Sequence, residues 1–195
     1  MTTPRLIAMT GSARKESFNR RLLETLIRGA LEEGAEVTRI EPRDFEMPLY
    51  DGDAEASDGL PPAAARLQSL FAEHDGLLLA TPEYNGFFTP LVKNTFDWLS
   101  RPLPDGSGRP GSVHFRGKPA GIAAASPGAL GGVRSLQHTR IYLSNLGFLV
   151  IPEQIGVPGA ARVLNAEGLL TDEKLRAAVE NIGATVTRLA RRLRQ

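Results

Sequence analysis

The segment RLIAMTGSARKESFNRRLLE, residues 5–24, joins a short apolar run to an amphipathic pattern through a polar turn. The apolar run shows no polar alternation, which is typical of a central strand in a parallel sheet that is covered on both faces. From Leu22 to Leu31, leucine, isoleucine and alanine recur at the spacing of one helix face. The segment therefore predicts a strand, a turn and a helix, the unit from which parallel α/β sheets are built.

The same unit repeats along the chain. Strands are predicted at residues 5–10, 36–40, 76–81, 120–126 and 148–154. Helical stripes follow them at residues 22–31, 67–71, 91–99 and 132–146, and from Thr171 almost to the C-terminus. Repeats of this kind predict an open, doubly wound α/β sheet with helices on both faces, in a single domain over residues 1–195. Residues 41–60 and 103–118 are predicted loops, and the second is either a surface excursion or a lid.

The composition limits the classes of partner. Lys and Arg number 23 against 22 Asp and Glu, and a net charge of +1 favours neither nucleic acid nor an anionic membrane. The absence of cysteine excludes disulfides and thiolate ligands, and the three histidines are scattered without metal-ligand spacing. No signal-peptide pattern opens the sequence, and no apolar run approaches the roughly 20 residues of a membrane-spanning helix. We therefore expect a cytoplasmic protein with no metal, nucleic-acid or membrane partner.

Three polar or glycine-rich loops follow the carboxyl ends of apolar strands. They are GSARKESFN after the first strand, PEYNGFFTP after the third and SPGALGG after the fourth. Ligands of open α/β sheets bind beyond the carboxyl ends of the strands, where the strand order reverses. The sequence therefore predicts that the three loops converge on one ligand.

The first loop combines donors that suit a phosphate group. The helix after it presents free backbone N–H groups, Ser12, Ser17 and Asn19 add neutral donors, and Arg14 adds a charged one. Neither a P-loop nor the G-x-G-x-x-G fingerprint is present, so a terminal monophosphate is favoured over a pyrophosphate. The alternative is that Ser17 or Asn19 only caps the helix while the cations are solvated.

The other two loops suit a flat ring. Tyr84 has a flat face, Asn85 both donates and accepts, and the small residues of SPGALGG permit close approach. Ordinary turns are the alternative for both loops. No catalytic triad, paired carboxylate or metal set can be nominated, so no side chain is predicted to be catalytic and the chemistry is assigned to a bound cofactor.

Taken together, these motifs resemble those of the NAD(P)H-dependent FMN reductases, a family of flavodoxin-like proteins that includes quinone, chromate and azo-dye reductases. The resemblance is carried by GSARKESFN, TPEYNGFFTPLVKNTFDWLS, SPGALGG and MPLYDGD, and it covers nearly the whole chain. It implies a three-layer αβα sandwich whose five-stranded parallel sheet has the order 2-1-3-4-5. One departure is FFTP, where relatives often carry a small residue, and this departure predicts a reshaped pocket above the ring.

The resemblance also assigns the site. It implies that the FMN phosphate is held by Ser12, Arg14, Ser17, Phe18 and Asn19. It implies that the isoalloxazine is bordered by Pro82, Glu83, Tyr84 and Asn85, with Ser126 and Gly128 along its other side. It further implies a homodimer or homotetramer, with the helix at residues 91–99, including Phe96 and Trp98, at the subunit contact.

The function implied is transfer of hydride from NADPH or NADH to FMN N5, followed by reduction of quinones, free flavin, azo compounds or chromate. The first alternative is an FMN-binding electron-transfer or redox-sensing protein that does not oxidise pyridine nucleotides. The others are a phosphate-binding module without flavin and an oligomer-forming scaffold. The sequence does not decide between NADPH and NADH, and it identifies neither the physiological acceptor nor the number of subunits.

Overall fold

The sheet that organises the chain is parallel and five-stranded. The computed structural model describes residues 3–165 and 169–194. The strands are β1 Arg5–Thr10, β2 Glu36–Ile40, β3 Gly76–Ala80, β4 Pro119–Ala125 and β5 Leu149–Val157. Their order across the sheet is β2-β1-β3-β4-β5, and every neighbouring pair is parallel. The predicted architecture and strand order are therefore confirmed.

Helices cover both faces of the sheet. They are α1 Phe18–Glu32, α2 Gly52–Asp58, α3 Pro62–Glu73, α4 Pro90–Leu99, α5 Val133–Asn145, α6 Ala160–Val163 and α7 Glu173–Leu193. Apolar residues of α1 and α7 form one core cluster against the sheet, and those of α3, α4 and α5 form a second on the opposite face. This division gives the three layers of the sandwich.

The α1 and α7 helices approach each other closely because glycine lies at their crossing. A Cβ at Gly29 would overlap the carbonyl oxygen of Glu180, and a Cβ at Gly183 would overlap that of Leu26. These glycines let the two backbones meet, so that Val186 and its neighbours on α7 reach the core beside α1. The opposite face is filled by edge-to-face and stacked phenylalanine rings.

Some local structure departs from the sequence prediction. The predicted loop at residues 41–60 contains a 3-10 turn at Pro42–Phe45 and the short helix α2, whose first turn is capped by Asp51. The fifth strand extends to Val157, beyond the predicted end, and α6 was not predicted. Phe96 and Trp98, implied as subunit contacts, are buried within the chain at 0% and 1% exposure, so that assignment is wrong.

The loop at residues 103–118 lies away from the three predicted ligand loops. It connects the end of α4 to the start of β4, which is the amino edge of the sheet, whereas the ligand loops leave the carboxyl edge. Its first part, residues 103–109, is closed by a hydrogen bond from the N–H of Leu103 to the carbonyl of Arg109 at 2.9 Å. The alternative of a lid over those loops is therefore excluded by position. Among the described residues, no helix is both long and apolar enough to cross a membrane.

Candidate functional site

The three predicted loops converge on one cavity at the carboxyl edge of the sheet. It has a volume of about 280 Å³. Its lining contains the predicted residues Ser12, Arg14, Ser17, Phe18, Asn19, Pro82, Glu83, Tyr84 and Ser126, together with Ala125 and Pro127, which sequence reasoning missed. Of the predicted site residues, Asn85 and Gly128 are outside this lining. The cavity lies where the order of an α/β sheet reverses, between β1 and β3.

The first loop is held against the sheet at Gly11. Its N–H donates to the carbonyl of Ala80 at 2.9 Å, and its own carbonyl accepts from Thr89 Oγ1 at 2.7 Å. A Cβ at Gly11 would overlap the hydroxyl of Thr81, so only glycine fits this approach. The contacts fix the point from which the polar loop leaves β1.

The start of α1 presents unused donors to the cavity. Ser17 is the N-cap residue, yet its hydroxyl makes no capping hydrogen bond, although the residue is only 3% exposed. The first-turn N–H groups have no acceptor inside the helix, and the dipole of α1 adds positive potential. Ser12 lies beside them and accepts from the N–H of Arg14 at 3.4 Å. The alternative that Ser17 only caps the helix is not supported by this geometry.

Arg14 adds an exposed positive charge to the lining of the cavity. The residue is exposed, and its guanidinium forms no ion pair or hydrogen bond within residues 3–165 and 169–194. The hydroxyl of Thr10, at the end of β1, is also buried without a partner among the described residues. Free hydroxyls, free amides and an uncommitted guanidinium form a donor set that fits a phosphate monoester.

Asn19 has a structural task that the sequence did not reveal. Its Nδ2 donates to the carbonyl of Ala125 at 2.8 Å, and the N–H of Ala125 donates to its Oδ1 at 2.8 Å. Asn19 thereby closes the gap between α1 and the end of β4, where β4 would otherwise leave two backbone groups unpaired. One amide hydrogen of Asn19 is left for a ligand.

Glu83 connects the third-strand loop to α5. Its Oε1 accepts from Arg134 Nε at 2.7 Å, and its Oε2 accepts from the N–H of Ser135 at 3.4 Å. Burial, the largest influence, raises the pKa of Glu83, but the hydrogen bonds from Arg134 and Ser135 outweigh it and keep the pKa below its ordinary value. An ionised, paired carboxylate of this kind positions a loop and is a poor proton donor at neutral pH.

A tight hairpin forms the outer wall of the cavity. Tyr84 and Phe87 exchange both backbone hydrogen bonds, at 2.9 Å and 3.0 Å. Asn85 and Gly86 between them have φ of 53° and 87°, which matches the type I′ turn that Asn-Gly favours. Asn85 therefore occupies the exposed tip of the turn.

The fourth-strand loop is supported by residues after β5. The carbonyl of Ser126 accepts from the N–H of Ala160 at 3.0 Å, and that of Gly128 accepts from Gly159 at 3.3 Å. The hydroxyl of Ser126 accepts from the N–H of Gly128 at 3.2 Å, so the two predicted residues are bonded to each other. This support from Gly159 and Ala160 carried no recognisable signal in the sequence.

The two phenylalanines of FFTP were expected to reshape the pocket above the ring, but both lie outside the cavity lining. Phe88 is 5% exposed and packs in the core, where its ring stacks on Tyr142 at 4.9 Å. Phe87 is 47% exposed and stacks on His138 at 4.2 Å. Neither ring lines the cavity itself.

The fold and the donor set together define a flavodoxin-like protein with a site for a phosphorylated cofactor. No group of His, Asp or Glu able to hold a metal ion occurs within the part of the chain that the structure describes. The model of the family "NADPH-dependent FMN reductase" matches residues 4–162, and the chain belongs to that family. The predicted class of enzyme, an FMN-dependent oxidoreductase that uses a pyridine nucleotide, is thereby confirmed.

Individual relatives agree with this assignment. The chain is 34% identical over 192 residues to an NAD(P)H-dependent FMN reductase of Pseudomonas aeruginosa, covering 97% of each chain. It is 36% identical over 153 residues to a quinone reductase of Escherichia coli, covering 77% of this chain and 76% of that one. Among solved structures it is similar to FerB, a flavoenzyme NAD(P)H:(acceptor) oxidoreductase of Paracoccus denitrificans, with a TM-score of 0.79 and 27% identity over 97% and 98% of the two chains.

Proposed function

We propose that the chain takes hydride from NADPH or NADH through FMN and reduces quinones first of all, with free flavin, azo compounds and chromate as further acceptors. The observation that carries the proposal is the cavity, whose one end holds unused phosphate donors and whose other end is walled by Pro82, Tyr84 and Ser126. The similarity to a quinone reductase supports the choice of quinone.

The residues divide between the two ends of the cofactor. Ser12, Arg14, Ser17, Phe18 and Asn19 would hold the phosphate through two hydroxyls, the guanidinium of Arg14, the amide of Asn19 and the free N–H groups of α1. Pro82, Glu83, Tyr84 and Ser126 would border the ring, largely through backbone atoms. Asn85 and Gly128, outside the cavity lining, would support them through the Asn85–Gly86 turn and the bond between Gly128 and Ser126. FMN, when bound, supplies the hydride-accepting N5, so this chain needs no catalytic side chain of its own.

The protein's own contribution is orientation and electrostatics. Asn19 and Glu83 fix the first and third loops to β4 and α5, so the donors keep their positions before a ligand arrives. The sequence has no second nucleotide fingerprint, so the nucleotide and the acceptor are expected to use the same face in turn. Ping-pong kinetics follow from this arrangement.

We also propose a cytoplasmic homodimer or homotetramer. The support is that three apolar residues on α5 and in the turn before it are exposed, Leu130 at 56%, Val133 at 39% and Ile141 at 60%. Exposed apolar residues on one element are a feature of surfaces that another subunit covers. Light scattering of the purified protein measures the mass directly.

The function is tested with the purified protein under anaerobic conditions. We expect a yellow protein whose flavin absorbance bleaches on addition of NADPH or NADH and returns on addition of a quinone. A yellow protein that neither nucleotide bleaches would instead be an electron carrier or redox sensor. A colourless protein that ignores added FMN would contradict the proposal altogether.

A further inference from the structure

The hairpin beside the cavity presents two aromatic side chains together. Tyr84 and Phe87 form an antiparallel bridge, so their side chains project from the same side of the hairpin at neighbouring positions. Tyr84 lines the cavity, and the two residues are 48% and 47% exposed. Phe87 itself lies outside the cavity lining, on the same side of the hairpin as Tyr84, and this places it next to the rim of the cavity.

The ring of Phe87 is held in one orientation. It stacks on His138 of α5 with a centroid distance of 4.2 Å and an interplanar angle of 27°. It also contacts Phe88 at 4.6 Å, and Phe88 is anchored in the core on Tyr142. A ring fixed in this way loses little rotamer entropy when a second ring packs on it.

The hairpin that carries Phe87 is fixed as well. Glu83 ties its base to Arg134 and Ser135 of α5, and the Asn85–Gly86 turn closes its tip. Phe87 thus combines a rigid mounting with a half-exposed apolar surface. Neither property contributes to the phosphate end of the site, and the core packing is already provided by Phe88.

We propose that Phe87 is a specificity-determining residue that binds flat aromatic acceptors at the rim of the cavity, with His138 as its positioning residue. The inference rests on the proposed function and adds the reason for a preference among acceptors. A flat quinone stacks on the exposed part of the ring with offset or edge-to-face geometry. A compact inorganic ion gains nothing from that surface.

The test compares two acceptors, a naphthoquinone and the octahedral ion ferricyanide. Each is assayed in the steady state with NADPH as the reductant. The variant Phe87→Leu keeps an apolar side chain and removes the flat face. We expect the KM for the naphthoquinone to rise about three- to tenfold, since one aromatic contact is lost. FMN content and the kcat/KM for ferricyanide should stay unchanged.

Further variants separate binding from structure. His138→Ala should raise the same KM by a smaller factor with kcat unchanged. Phe87→Tyr, which keeps the flat ring, should have the wild-type KM. Leu149→Ala, a similarly exposed apolar residue at the start of β5, is the matched control and should change neither acceptor.

The outcomes are distinguishable. A wild-type protein that oxidises neither NADPH nor NADH with any acceptor would overturn the proposed function and this inference with it. Normal wild-type turnover, with equal effects of Phe87→Leu on both acceptors or on neither, would overturn the inference alone. Loss of the native oligomer in Phe87→Leu would also overturn it, because Phe87 would then be a subunit contact.

Discussion

The two helices that follow the first and third ligand loops, α1 and α4, begin with a hydroxyl residue at the N-cap and use it differently. Thr89, the N-cap of α4, accepts from the N–H of Val92 at 3.3 Å and donates to the carbonyl of Gly11 at 2.7 Å. Ser17, the N-cap of α1, makes no capping bond with its side chain. Both residues are buried, at 1% and 3% exposure. A buried hydroxyl that bonds to the fold stabilises the fold, whereas one left unbonded beside a cavity is available to a ligand.

The difference separates structural from ligand-binding residues within one loop. Asn19 lies two positions from Ser17, yet its amide is bonded to Ala125 and belongs with Thr89 on the structural side. Arg14, like Ser17, is uncommitted. Substitutions can test whether a residue stabilises the fold or binds the ligand.

The largest expected loss of stability is that of the Asn19→Ala variant. Asn19→Ala leaves the N–H and carbonyl of Ala125 without their partners, which should lower the free energy of unfolding by about 2–4 kcal/mol. Urea denaturation of the FMN-free protein measures this loss. Asn145→Ala, at an exposed position of α5, should change it by less than about 0.5 kcal/mol. An Asn19→Ala protein as stable as the wild type would remove Asn19 from the structural group.

The next effect is on Thr89. Thr89→Val keeps the shape and removes both hydrogen bonds of the hydroxyl, so the FMN-free protein should lose about 1–2 kcal/mol of stability. The shift of the denaturation midpoint reports the change. The idea fails if Thr89→Val weakens FMN binding while leaving the stability of the FMN-free protein intact.

Ser17 should give the opposite result. Ser17→Ala should leave the stability of the FMN-free protein within about 0.5 kcal/mol of the wild type, because no capping bond is lost. FMN affinity should fall about three- to tenfold, as expected for one hydrogen bond. Fluorescence titration with FMN measures this. A loss of stability equal to that of Thr89→Val would show that Ser17 is a cap after all.

The smallest change in stability at neutral pH is expected for substitution of His74, which lies outside the cavity lining. Its Nδ1 donates to the carbonyl of Leu70 at 2.6 Å, so Nε2 accepts from the hydroxyl of Thr38 at 2.8 Å. Burial lowers the pKa of His74, although the Leu70 hydrogen bond opposes this. The unfolded chain therefore binds a proton near pH 6.5 that the folded chain does not, and stability, complete above that pH, falls as the pH drops below it.

Denaturation at pH 7.5 and pH 5.5 tests this sign. The wild type should lose more stability between the two conditions than His74→Gln does. FMN affinity should be equal in the two proteins, since His74 does not touch the cavity. An identical pH dependence in both proteins would contradict the assignment of His74 as a buried neutral residue.

Much of the fold was predictable because its signals are local. Apolar runs and helical stripes predicted the strands and the long helices, and Gly34 and Gly147, with φ of 86° and 99°, end helices as expected. The short helix α2 was missed because its sequence GDAEASD has no apolar stripe, and Asp51 caps it from outside that stretch.

The sequence predicted which residues line the cavity better than it predicted what each of them does there. The loop compositions and the resemblance predicted which residues line the cavity. The bond between Asn19 and Ala125 spans 106 positions and that between Glu83 and Arg134 spans 51. Contacts over such separations leave no local pattern, so only the structure separates the residues that hold the loops from those left free.

The central claim is that the first loop binds the phosphate group of FMN. Comparing the affinities for FMN and for riboflavin, which lacks the phosphate, tests this claim most directly. Calorimetric titration of the FMN-free protein should show FMN binding at least tenfold more tightly than riboflavin. Arg14→Ala should weaken FMN binding at least tenfold and riboflavin binding hardly at all, while Lys15→Ala, its exposed neighbour, should leave both unchanged. Equal affinities for FMN and riboflavin in the wild type, or an Arg14→Ala protein with unaltered FMN affinity, would contradict the account.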